Sequence, residues 1–347
     1  MFDWSYTLIT VMVGTAILGA IAGALGTFLT LRRQALIGDV LSHAALPGVV
    51  LAYIISQIRS LSMLLLGAAM SALFAMFLLN VIKRFTRIKF DASMALLLSG
   101  FFGFGQVLLS QVQKTGAASQ AGLSRFILGQ AATMLRTDVM MIAIVALVVG
   151  IVIALFWKEL KLYIFDGAFY RSLGLSERFA SALLSILTII IVVIGIRLVG
   201  VILMSALIIA PSVAARQLSN RFAHNVLIAM MIGAASGFIG TLISASRANL
   251  PSGPVITVVL GIIVITLIIV SPTRGLLRQV IERLRFRKRI VKYRVLIHLY
   301  ENNALVCDDA VCEGFEKQRY IEQTAEGYAL TDKGRRLVKN LMGADAS

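Results

Sequence analysis

Chemically versatile side chains are almost missing from this chain. It holds three histidines (His43, His224 and His298) and two cysteines (Cys307 and Cys312), and both cysteines follow Pro272. Two thiols in one polar segment make no disulfide framework. They also leave no thiolate in the apolar body, which argues against a copper(I) site. No Gly-x4-Gly-Lys-[Ser/Thr] phosphate loop occurs, so the chain has no ATPase site of its own. With histidine so scarce, no Ser–His–Asp arrangement is supported either. Charge is thin as well: 14% of residues are Asp, Glu, Lys or Arg, against 59% hydrophobic. That balance excludes an ordinary soluble domain and points to a membrane.

What is present is a succession of continuous apolar runs of about twenty residues, the length of a membrane-spanning helix rather than of an alternating barrel strand. Nine spans are predicted: 7–31, 40–57, 61–82, 92–110, 133–156, 179–195, 198–215, 224–245 and 252–271. The first is followed by Arg32 and Arg33 and has no basic stretch before it, so it reads as a retained span rather than a cleaved signal. Pro211 marks a break near the end of the seventh. If residues 32–39 face the cytoplasm, that side carries Arg32, Arg33, Lys83, Arg84, Arg87, Lys89, Lys158, Lys161, Arg171, Arg178, Arg216 and Arg221. The other side carries Arg59, Lys114, Arg125, Arg136, Arg197 and Arg247. Twelve against six puts the N-terminus outside and, with nine spans, the basic tail in the cytoplasm. The net charge of +16 is then mostly topogenic or set against anionic lipid headgroups, and nucleic acid is not an expected partner.

Within the apolar body Asp39 and His43 are the one closely spaced Asp–His pair. Positions i and i+4 share a helix face. An ionisable pair there is costly unless it serves a pathway or finds a partner. Carboxylate and neutral imidazole suit manganese, iron or zinc. One pair supplies two ligands, and a two-fold dimer would supply four. The competing reading is a local ion pair or a cap for the second span. Gly14, Gly19, Gly23 and Gly26 in the first span allow close helix contact, either inside the bundle or between subunits. Residues 157–178 are long enough for a short helix across the membrane face, ended by Gly174, and serve as a docking element or a plain interfacial loop. Pro251, Gly253 and Pro254 make a rigid outer turn that could line a gate.

After Pro272 the composition changes. A long basic helix is expected over 277–301 and a second over 309–318. A hairpin of Tyr320–Gln323 with Tyr328–Leu330 follows, then a last helix from Asp332 to Leu341 capped by Thr331. The order resembles an abbreviated winged-helix domain lacking a separate recognition helix, which weakens a DNA-binding reading. His298, Cys307, Asp308, Cys312 and Glu313 could gather as a metal-sensing cluster, although their spacing fits no strong zinc pattern.

Four segments together carry a family resemblance. Arg33 to Gly48 (RQALIGDVLSHAALPG) is similar to the signature of the manganese/zinc/iron ABC importer permeases. Gly200 to Arg216 (GVILMSALIIAPSVAAR) and Leu250 to Ile256 (LPSGPVI) resemble two further family motifs, and Phe165 to Leu175 the family's coupling-helix region. The resemblance implies a dimerising permease of the bacterial inner membrane that takes metal from an extracytoplasmic binding protein and is driven by a separate ABC ATPase subunit. It implies that Asp39 and His43 carry the ion, and that Asp166, Arg171, Leu173 and Gly174 couple to the ATPase. Some members resemble fusions to metal-dependent repressor domains, which would make the tail a remnant of one.

The expected fold is therefore an all-α polytopic membrane protein of about nine helices over 1–275, followed by a small α+β winged-helix-like cytoplasmic tail over 276–347. The expected function is the permease of a divalent-metal importer, manganese favoured over zinc or iron, with no resident cofactor. The rivals are a membrane-anchored metal-responsive regulator acting through the tail and a carrier driven by an ion gradient.

Overall fold

The computed structural model describes residues 6–57, 60–114, 134–246 and 250–271. In the tail it describes 275, 277–278, 280–282, 284–286, 293, 296–297, 299–300, 314–324 and 327–343. The chain divides into two compact units, Met1–Arg274 and Gly275–Ser347.

The regular secondary structure among the first unit's described residues is all helix. Its elements are α1 (Tyr6–Leu31), α2 (Ile37–Ser56), α3 (Leu61–Phe85), α4 (Phe90–Lys114), α5 (Arg136–Leu155), α6 (Trp157–Phe165), α7 (Gly167–Ser172), α8 (Glu177–Leu218), α9 (Phe222–Ala245) and α10 (Ser252–Val270). Among the described residues nine segments are long and apolar enough to cross a membrane, because α8 supplies two: Glu177–Arg197 and Val199–Leu218. These match the nine predicted spans within a few residues. Helix is the only open-ended solution here, since hydrocarbon offers the backbone no partner.

Helix ends follow local chemistry. Ser60 caps α3, its side chain accepting from the Met63 N–H, and Lys83 and Arg84 occupy the last turn where the helix dipole favours cations. α2 stops at Gln57, whose left-handed φ of 49° turns the chain out of the helix.

α1 lies at the centre, against α9 and α8. Its small residues resolve to packing within the bundle. A Cβ on Gly19 would overlap the Gly233 carbonyl, and one on Gly233 would overlap the Gly19 carbonyl, so the two backbones touch. Thr15 closes the same seam, its hydroxyl 3.1 Å from the Gly237 carbonyl and 3.0 Å from the Thr241 hydroxyl. Gly48 and Gly67 bring α2 equally close to α3.

The two arms of α8 meet at Gly200, with φ 84° and ψ 167°, a conformation that L side chains rarely adopt. Gly195 faces the Met204 thioether at close range. Nine residues of straight helix would rise about 13.5 Å, so the chain folds back on itself almost without a loop. An ion pair sits beside this bend: Arg197 Nη2 lies 2.8 Å from Asp138 Oδ1, and the carboxylate is 9% exposed. Asp138 Oδ2 also accepts from the Leu135 N–H at 3.0 Å, closing the first turn of α5. Pro211 does not break its span, contrary to expectation. The helix continues to Leu218, with Pro211 against Gly23 of α1 and the Ser212 hydroxyl bonded to Thr30 at 2.6 Å. Proline within a span is tolerated where a neighbouring helix and hydroxyls take up the freed groups.

The second unit shows the expected hairpin. β1 (Ile321–Thr324) pairs antiparallel with β2 (Gly327–Leu330), with Ile321 opposite Leu330. The last helix, α11 (Asp332–Gly343), is capped as predicted, the Thr331 hydroxyl accepting from the Gly334 N–H at 3.2 Å. Leu296, Phe315, Ile321, Leu330 and Val338 form its small core. Described residues within 277–286, 296–300 and 314–317 are helical, but Tyr293 lies in a turn inside the stretch expected as one long helix over 277–301. The cluster of His298, Cys307, Asp308, Cys312 and Glu313 lies outside the described residues, as do Pro272 and the hairpin turn at 325–326.

Two outcomes follow. Gly19→Val should force α1 from α9 and lower the melting temperature in detergent, since backbone cannot move aside as a side chain can. Gly150→Val, where nothing lies within 4 Å, is the control and should leave it nearly unchanged. Arg197→Met strands a nearly buried carboxylate and should cost about 3–5 kcal/mol. The double variant Asp138→Asn/Arg197→Met should recover part of that loss in the same melting assay.

Candidate metal path and ATPase-facing helix

α2 buries Val40, Leu41, Ala44, Ala45 and Val49 against its neighbours and keeps one face partly open. Asp39 and His43 stand on that face. His43 Nε2 lies 3.4 Å from Asp39 Oδ1, with the two side chains 21% and 26% exposed. The separation is beyond the usual range for a good N–H···O hydrogen bond. The imidazole stacks edge-on against Phe102 of α4, centroids 5.0 Å apart. Pro47 follows at i+4 from His43 and has no N–H to return to the His43 carbonyl. The N-cap residue of α2, Leu36, has no side-chain cap bond, and Asp39 lies in the first turn, where the helix dipole favours a carboxylate. Among the described residues no three His, Cys, Asp or Glu side chains cluster, so the pair has no third such ligand from its own chain.

The residues predicted to meet a cytoplasmic partner come together in one short structure. Asp166 caps α7, its Oδ1 accepting from the Phe169 N–H at 2.9 Å. Arg171 Nη1 reaches Glu177 Oε1, at the start of α8, at 3.0 Å. Gly174 terminates the element as expected, with φ 76° and its N–H bonded to the Arg171 carbonyl at 2.9 Å. Leu173 and Phe169 present more than half of their surface outward. Tyr170, in contrast, is buried and anchors the helix from below. Burial pushes its phenol above the usual range, and Glu159, Tyr163 and Glu177 act in the same direction, so it stays a neutral hydroxyl.

A connection not foreseen from sequence runs inward from that anchor. The Tyr170 ring meets Tyr163 at 5.6 Å, and the Arg32 guanidinium lies 3.8 Å over the Tyr163 ring. Arg32 also donates to the Tyr163 carbonyl at 3.4 Å. Arg32 opens the α1–α2 corner, directly after Leu31 and seven residues before Asp39. The Asp138–Arg197 pair was missed too: both residues were visible only as charges near span ends, and nothing in the spacing couples them.

The turn of Pro251, Gly253 and Pro254 lies at the start of α10. Pro251 precedes its first residue, Gly253 is buried, Pro254 is exposed, and the Ser244 hydroxyl donates to the Leu250 carbonyl at 2.9 Å. Residues 247–249 lie outside the described set.

Known proteins bear on this arrangement. The family model described as "ABC 3 transport family" matches residues 5–271. The zinc transport system membrane protein TroC of Treponema pallidum is 45% identical over 280 residues, covering 81% of this chain and 94% of its own. The manganese transport system membrane protein MntC of Bacillus subtilis is 38% identical over 343 residues, covering 93% of this chain and 79% of its own. That share is more than residues 1–275 can supply, so the likeness enters the tail. Among solved structures, PsaBC of Streptococcus pneumoniae in complex with Fab matches with a TM-score of 0.69 at 26% identity, over 80% of this chain and 96% of that one. The family match covers the helical unit, not the tail on which a regulator would depend. The chain therefore belongs to the ABC 3 transport family and is the multi-pass permease subunit of a metal ABC importer, with ATP hydrolysis left to a separate subunit.

Proposed function

We propose that the permease passes a divalent ion, manganese in preference to zinc or iron, inward through Asp39 and His43. The observation that carries this reading is the pair itself, two donor atoms 3.4 Å apart on the open face of an otherwise buried helix. That separation is about the edge of a tetrahedron whose bonds are about 2.1 Å, the length of metal–nitrogen and metal–oxygen bonds in such sites. A second permease copy or a homologue supplies the remaining ligands across a two-fold axis. The carboxylate–imidazole set lacks thiolate and so suits manganese, and relatives named for manganese, zinc and iron support the same class of cargo.

Manganese arrives from an extracytoplasmic metal-binding protein and passes an outer gate formed in part by Pro251, Gly253 and Pro254. The permease lies in the bacterial cytoplasmic (inner) membrane with its N-terminus outside and its tail in the cytoplasm. Two placements support that orientation. Arg32, Lys83, Arg84 and Arg178, all assigned to the cytoplasmic side, line one cleft, while Asp138 and Arg197 meet at the opposite assignment. The tail, 276–347, we read as a winged-helix-like unit of regulatory or assembly role.

In the mechanism, α7 docks on the ATPase through Phe169 and Leu173. Asp166 and Gly174 fix its two ends, and Arg171 ties it to α8. Closure of the ATPase dimer displaces α7, and the stack of Tyr170, Tyr163 and Arg32 carries that displacement to the start of α2. Asp39 and His43 then exchange their outward-facing geometry for an inward one and release the ion.

The test is tracer uptake of manganese, zinc and iron by cells expressing the chain with its ATPase. Asp39→Ala and His43→Ala should each reduce uptake about tenfold or more at unchanged expression, since even indirect supports of metal ligands cost that much. Full uptake by the double variant would remove the pair from the path. Tyr170→Ala should lower metal moved per ATP hydrolysed while the Asp39 and His43 site is intact. An unchanged ratio would break the proposed connection.

A further inference from the structure

Between α3 and the first arm of α8 lies a cleft of about 780 Å³, away from the Asp39–His43 pair. We propose that it is a binding site for a phosphate-bearing anionic amphiphile, namely an anionic phospholipid of the surrounding membrane.

Charge is concentrated at one end. Arg32, Lys83, Arg84 and Arg178 line it, and the acid among them, Glu177, is already held by Arg171 at 3.0 Å. Lys83, Arg84 and Arg178 form no ion pair among the described residues. Arg32 is held in place by Tyr163, and its Nε is buried without a partner. Four cations with so little neutralisation call for an anion.

The other end is apolar. On α3, Leu73, Phe77, Asn80 and Arg84 follow helical spacing along one face. On α8, Arg178, Ala182, Ile186 and Ile189 do the same. Both walls therefore grade from charge to hydrocarbon in the same direction. Leu73 to Arg84 rises about 16 Å, close to one leaflet of a hydrocarbon core about 30 Å thick. Phe77, Leu73 and Ile186 are each close to half exposed or more within this cleft. A soluble anion would use the basic end and leave this wall wet. An anionic lipid satisfies both ends at once, its phosphate on the guanidinium and ammonium groups and its acyl chain along Phe77 and Ile186.

The experiment uses the full chain purified with its ATPase in detergent. Its melting temperature is followed with phosphatidylglycerol, with phosphatidylcholine and with inorganic phosphate. Phosphatidylglycerol should raise it, the other two should not, and Lys83→Gln/Arg84→Gln/Arg178→Gln should abolish the rise. An equal rise with inorganic phosphate would replace the lipid by a soluble anion. An equal rise with phosphatidylcholine, or a full response in the triple variant, would overturn the site. If the triple variant fails to fold, Ile186→Trp in the otherwise native chain keeps the question open to measurement. Brominated phosphatidylglycerol should quench the added fluorescence more than brominated phosphatidylcholine, and equal quenching would refute the proposal.

Discussion

Backbone contact between α1 and α9 is the constraint on which the rest of this bundle rests. Lipid tails are as apolar as leucine, so burying hydrocarbon gives these helices little reason to associate. What remains is close packing and the few hydrogen bonds that close packing allows. Gly19 and Gly233 remove the side chains between two helices, and the Thr15 hydroxyl can then reach the Gly237 carbonyl across the gap. With α1 fixed, the second arm of α8 lies against it through Ile208 and Gly26, and α2 is held in turn against Ile208 through Gly38. The start of α2 is thus positioned by a chain of contacts in which missing side chains matter as much as present ones.

On that scaffold the polar groups divide by how completely they are satisfied. Asp138 has a guanidinium at 2.8 Å and a backbone donor at 3.0 Å, and it serves to hold a bend. Asp39 and His43 have each other at 3.4 Å and no third ionisable ligand among the described residues. A satisfied pair has nothing left for a substrate, whereas an unsatisfied one in a low-dielectric setting favours any cation that can complete it. The contrast supports the proposed division, Asp138 to structure and Asp39 with His43 to the ion path.

Sequence made the repetitive parts of this architecture legible. Nine spans followed from run length, the Asp39–His43 face from a spacing of four, the end of α7 from Gly174 and the cap of α11 from Thr331. Each is a local rule acting on neighbouring residues. The two arms of α8 were legible as separate spans, 179–195 and 198–215; what stayed hidden is how tightly they are joined at Gly200, because a glycine in a run does not announce its φ. Pro211 misled for the opposite reason: its effect depends on what packs around it, and here it lies against Gly23 of α1 beside the Thr30–Ser212 hydroxyl pair. The Asp138–Arg197 pair and the stack of Arg32, Tyr163 and Tyr170 join segments distant in sequence, which no periodicity records.

The distance between α7 and the start of α2 sets the remaining problem, how work done at one reaches the other. A cation held over an aromatic ring suits that task better than an exposed ion pair would. The Arg32 guanidinium is fixed by both the ring and the carbonyl of Tyr163, 3.8 Å over the one and 3.4 Å from the other. Arg171 and Glu177, by contrast, lie where solvent weakens their attraction, so they can yield when α7 moves. In the mechanism we propose, a strong inner joint and a weak outer one let α7 rotate on its docking face while its anchor, Tyr170, keeps pulling on the corner that leads to Asp39. The same ordering fits the proposed site of only two ligands per chain: a site that must change hands in every cycle has to be opened by a small displacement, and a closed cage of ligands would resist it.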